Sequence, residues 1–125
     1  MLNAECLTMS YNIIVEKSFD FAVRIVNLHK YLTREHKEFI LSKQLLRSGT
    51  SIGANVSEAQ RGQSKADFTA KMSIALKEAS ESEYWIKLLY RTEYLSKEQY
   101  NSLNTDIQEL IGLLTAICRT SNQTK

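Results

Sequence analysis

The chain has 125 residues, enough for one domain with its own core and too few for two ordinary ones. It is 43% hydrophobic and 24% charged, a globular composition, and a formal charge of +2 excludes a generic polycation of the histone kind. Proline is absent and glycine occurs four times, so long helices are favoured over an all-β fold built on tight turns.

The first eighteen residues contain no basic leader, no sustained apolar run and no small-residue cleavage site, and do not read as a secretory signal. No uncharged apolar run approaches the roughly eighteen residues of a membrane span. Cys6 and Cys118 lie near opposite ends without CxxC spacing. The expectation is a cytoplasmic chain with free thiols.

Helical periodicity predicts four segments. The first covers about residues 12–34, with Ile14, Ser18, Phe21, Ile25, Leu28 and Leu32 in one row and Val15, Phe19, Ala22 and Val26 widening it. The charged run Thr33 to Glu38 then reads as a solvated connection. The second segment, about 39–60, is rich in poor helix formers around Ser48-Gly49-Thr50-Ser51-Ile52-Gly53. At about 100° per residue, however, Leu41, Leu45, Ser48, Ile52, Val56 and Ala59 share one side. Gly49 and Gly53 adjoin it and suit close helix packing, and Gly62 marks the stop.

The third segment, about 65–93, opens on a capping signal, Ser64-Lys65-Ala66-Asp67. Its row is Phe68, Met72, Ala75, Ala79, Ser82, Ile86 and Leu89, with Lys77/Glu81 and Glu83/Lys87 as outward pairs four apart. The fourth, about 96–119, has Ser96 and Gln99 as its cap and Tyr100, Leu103, Ile107, Leu110, Leu114 and Ile117 as its row. The tails 1–11 and 120–125 are expected to fray. Rows stepping by three and four make bundle seams, and the predicted fold is all-α, an antiparallel up-down four-helix bundle.

The stretch Gln44-Leu45-Leu46-Arg47-Ser48-Gly49-Thr50-Ser51-Ile52-Gly53-Ala54-Asn55-Val56-Ser57-Glu58-Ala59 resembles the signature of the 23S rRNA intervening-sequence proteins, also called the S23 or four-helix-bundle-protein family. Ser64, Asp67-Phe68, Ile74 to Ala79, Glu81 and Tyr84-Trp85 support the match, as do Lys17-Ser18-Phe19 and Phe21-Ala22. Ala59 stands where many members carry glycine. The resemblance implies a four-helix bundle assembled as a homopentamer. It also implies kinship with accessory proteins of diversity-generating retroelements, which pair with a reverse transcriptase and with nucleic acid.

Three constellations merit weighing. Residues 17–65 hold nine basic and four acidic side chains, a net of +5, against −3 for the rest. Lys43 and Arg47 project about 40° apart, away from the apolar row of the second helix. With Arg61 and Lys65 they form a candidate phosphate-contacting stripe, the alternative being an ordinary solvated face. Ile74, Trp85 and Leu88 project about 100–160° from the middle of the third helix's core row. They are the candidate contact between subunits, or else one side of a wide stripe packed within the bundle. Finally, Glu78 beside apolar rows calls for a cation, and Arg47 is the candidate partner.

Enzyme signatures are weak. No Glu-x-x-His, HExxH or phosphate loop is present, and no metal or cofactor is expected. Arg24 and His29 fit the Arg-x4-His of HEPN-type ribonucleases, but in a continuous helix they diverge by about 140°. The expected protein is a non-enzymatic, ring-forming adaptor that binds itself and RNA or DNA, with no membrane partner. A protein-only scaffold is the rival, and an HEPN-like ribonuclease the remote one.

Overall fold

The computed structural model describes the backbone of residues 4–123 and the side chains of residues 12–122. Four helices follow one another: α1 (Ala4–Glu35), α2 (Leu41–Ala59), α3 (Lys65–Arg91) and α4 (Lys97–Gln123). Each packs on its neighbours around a square, α1 on α2, α2 on α3 and α3 on α4, and the sparser α1–α4 contact closes it. Short connections make successive helices antiparallel, so the α1–α2 and α3–α4 connections share one end.

The rows read from periodicity form the core. Ile14, Phe21, Ile25 and Leu32 of α1 meet Leu45, Ile52 and Val56 of α2, Met72, Ile86 and Leu89 of α3, and Leu103 to Ile117 of α4. Small residues set the α1–α2 distance. A Cβ on Gly53 would lie 3.1 Å from the Ser18 carbonyl oxygen, and one on Gly49 would lie 3.0 Å from both branches of Ile25. Between α2 and α3, the buried hydroxyls of Ser48 and Ser82 meet at 2.9 Å.

Helix ends are locally specified. Ser64 Oγ accepts from the Asp67 amide at 3.1 Å. At α4, Ser96 Oγ accepts from the Gln99 amide while Gln99 Oε1 accepts from the Ser96 amide, a complete capping box. α3 ends in a Schellman turn, with the Tyr94 amide on Leu89 O and the Glu93 amide on Tyr90 O. Glu93 takes the left-handed position at φ 71°, and Lys37 after α1 sits at φ 52°.

Several expectations are corrected. α1 begins at Ala4 rather than near residue 12, because nothing in the preceding turns breaks a helix. α4 runs to Gln123, since Thr120 and Ser121 are buried and Ser121 hydrogen-bonds Thr69 of α3. Glu38 is not a solvated link residue: it is 7% exposed and its carboxylate accepts from the amides of Ile40, Leu41 and Ser42. Phe19 and Val26 do not widen the core, and Phe19 stays 68% exposed. The pairs Lys77/Glu81 and Glu83/Lys87 do not form, because Glu81 turns to Arg47 and Glu83 to Gln108.

Cys118 is buried and free, and burial pushes its thiol pKa up against the opposing hydrogen bond from Ser73. The side chain of Cys6 lies outside the described residues. Among the described residues, no helix is long and apolar enough to cross a membrane, and no group of His, Cys, Asp and Glu is placed to hold a metal.

Candidate nucleic-acid interface

The basic stripe expected on α2 does not assemble. Arg47 points to α3, with Nη1 3.0 Å from Glu78 Oε2 and Nη2 on Glu81. Partial desolvation works against its charge, yet the two carboxylates outweigh this and hold the guanidinium above its ordinary pKa. The Glu78 side chain is only 12% exposed, so its charge needs this partner. Glu81 also accepts from the Trp85 indole at 3.2 Å.

Arg61 lies beyond α2 in the α2–α3 turn, lining a shallow cleft with the carboxylates of Glu58 and Asp67. Lys65 opens α3 at the same end. Lys43 sits near the start of α2, about 24 Å of helix rise from that helix's last residue. The four expected contact residues therefore occupy two ends of the bundle, and the most central of them is neutralised.

Positive charge instead gathers where the α1–α2 and α3–α4 connections meet. Residues 30–43 and 87–99 carry Lys30, Arg34, Lys37, Lys43, Lys87, Arg91 and Lys97 against Glu35, Glu38, Glu93 and Glu98, a net of +3. All seven cations are exposed, and none makes an ion pair among the described residues. Lys17, Arg24, Arg47 and Lys71 elsewhere are each held by a carboxylate.

The same end bears an aromatic-lined cleft of about 640 Å³ bounded by Tyr31, His36, Tyr90, Arg91, Glu93 and Tyr94 among others. His36 stands edge-on to Tyr31 and to Tyr94, with ring centroids 5.2 and 6.1 Å away, and its Nε2 is 3.1 Å from the Tyr31 hydroxyl. Tyr90 stacks on Tyr100 at 4.3 Å. Sequence reading missed this site because its two halves lie some fifty residues apart in the chain. The signal was present in each half as aromatic and basic residues at a helix end, and only the up-down topology joins them.

The expected subunit-contact residues divide. Ile74 is exposed, whereas Trp85 packs against the core of its own bundle and Leu88 is half-buried. Exposed apolar surface also occurs at Phe39, Ile40 and Tyr84, and along α1 at Phe19, Val23 and Val26. Arg24 and His29 do not converge. Arg24 is drawn to α4 by Asp106 and Ser102, while the buried His29 Nδ1 has no hydrogen-bond partner.

The family model for the 23S rRNA-intervening sequence protein matches residues 11–116. The chain belongs to that family. A crystal structure of a protein of unknown function from the S23 ribosomal protein family of Bacteroides thetaiotaomicron resembles this intervening-sequence protein with a TM-score of 0.86 and 58% identity, covering 88% of this chain and 98% of that one. No curated protein matches it. The matched region of the intervening-sequence protein takes in both the α2 signature and the aromatic, basic end.

Proposed function

We propose that this intervening-sequence protein is a non-catalytic, self-assembling adaptor that contacts nucleic acid through the end of the bundle where its two basic connections meet. The observation that carries this reading is the set of seven exposed cations there, none neutralised by a carboxylate. Seven cations left unpaired at one end, while Lys17, Arg24, Arg47 and Lys71 are each held by a carboxylate, favour a polyanionic partner over a merely solvated face.

Self-assembly, pentameric by family resemblance, is supported by the exposed apolar side chains on α1, on the connection before α2 and on α3. The same surfaces also suit the rival reading, a scaffold that binds protein alone.

The test is binding of single-stranded and duplex RNA, followed by fluorescence anisotropy between about 50 and 200 mM salt. Wild-type affinity is expected to fall steeply with salt. Lys37→Glu/Lys43→Glu should weaken binding and flatten the slope by about 0.7 to 0.9 for each phosphate no longer neutralised. Arg61→Glu at the far end should change neither. Absence of salt-dependent binding by the wild type leaves the scaffold reading in its place.

A further inference from the structure

The aromatic cleft at the basic end has features that phosphate contact alone does not use. It measures about 640 Å³ and opens broadly to solvent, a recess on the end of the bundle rather than an enclosed cavity. Its rings come from three parts of the chain: Tyr31 on α1, His36 in the α1–α2 connection, and Tyr90 and Tyr94 at the end of α3. They are held in place before any ligand arrives. Tyr100 covers one face of Tyr90, and His36 is clasped edge-on between Tyr31 and Tyr94.

Lys37 and Glu93 are the non-glycine residues at positive φ among the described residues, and both belong to the connections that form this end. Glu93 itself lines the cleft. At Glu93 the left-handed backbone is that of the Schellman turn closing α3, which brings Tyr94 into the cleft wall.

We propose that this cleft holds an unpaired nucleobase of a single strand, stacked on a tyrosine ring, with the adjoining phosphate on Arg91. The proposal rests on the nucleic-acid reading and adds the class of nucleic acid and the contact. Every base offers a π-face to tyrosine, and sequence-tolerant single-strand binders combine such stacking with a positively charged surround. The imidazole of His36 and the carboxylate of Glu93 supply donors and acceptors for the base edge. A blunt duplex keeps its bases stacked inside and gives this cleft nothing to hold.

The experiment compares three probes with the full-length protein: an RNA hairpin whose strands are joined by a non-nucleotide linker and which carries a single-stranded 3′ overhang with 2-aminopurine, the same hairpin blunt-ended, and the free mononucleotide. Binding of the overhang should quench 2-aminopurine and exceed blunt-hairpin binding. Tyr31→Ala should abolish the quenching and weaken overhang binding about tenfold or more, leaving the blunt hairpin unaffected. Tyr31→Phe, which keeps the ring, should retain both. Tyr31 is exposed on a helix surface, so its removal leaves the core intact. As a second variant, Arg91→Gln should weaken the overhang complex and flatten its salt slope by about 0.7.

Unchanged overhang binding by Tyr31→Ala overturns the cleft while the charge-led reading stands. Mononucleotide binding as tight as the overhang overturns the single-strand assignment in favour of a free nucleotide. Failure of the wild type to bind any probe at low salt overturns both readings together.

Discussion

Glu38 sits in a run of charged residues that reads as solvent-facing, yet it is buried and holds three backbone amides at the start of α2. Ile40, at the N-cap position, offers no side-chain acceptor, so the orphan donors of the first turn would otherwise go unsatisfied. The Ser42 hydroxyl returns a hydrogen bond to the Glu38 carbonyl at 2.7 Å and closes the motif. Charge-assisted bonds to backbone amides are the stronger kind, and loss of a cap costs typically about 1 kcal/mol. Glu38→Gln keeps one accepting oxygen and should cost about 1 kcal/mol, and Glu38→Ala about 2 kcal/mol. Urea denaturation of the two variants against wild type measures both, and an Ala variant as stable as wild type rejects the capping role.

At the scale of helices, α2 is where propensity and packing disagree. Its glycines and serines are poor helix formers, but they bring α1 and α3 close, and that close packing outweighs their local cost. Gly53→Ala should therefore destabilise by about 1 to 2 kcal/mol despite the better propensity of alanine, because its Cβ meets the Ser18 backbone rather than a side chain that can move. Gly112 on α4 is the control. Nothing lies within 4 Å of its Cβ position, so Gly112→Ala should stabilise by about 1 kcal/mol. Thermal melts of the pair should shift in opposite directions.

The core rows were legible in the sequence because a 3.6-residue period marks one buried face regardless of what it packs against. The reach of Arg47 to Glu78 was legible as a need for a cation beside a carboxylate at an apolar seam. The cap by Glu38 and the aromatic cleft were not, since both depend on where the chain turns and which distant segment arrives there. The α2 stripe misled for the same reason: a helical projection gives direction about one axis but not the neighbour that neutralises a charge.

For the whole molecule, the two exposed apolar sectors bear on the proposed self-assembly. One lies along α1 at Phe19, Val23 and Val26, spaced four and three residues apart. The other lies on α3 at Ile74 and Tyr84, while Phe39 and Ile40 stand exposed on the connection before α2. α1 and α3 occupy opposite corners of the square, so the sectors belong to different faces of the protomer. A two-fold dimer needs one self-complementary patch, whereas two unlike patches fit a head-to-tail contact that closes into a ring. Val23→Glu and Ile74→Glu each place a charge in one sector at an already exposed position and should each yield monomers by light scattering. Mixing the two variants distinguishes the symmetries. In a head-to-tail ring each variant retains the face the other lacks, so the mixture should form a dimer and grow no further. In a two-fold contact only the variant whose sector forms the patch loses association, and the other keeps the wild-type mass. A Val23→Glu protein with the mass of the wild-type assembly removes α1 from the contact altogether.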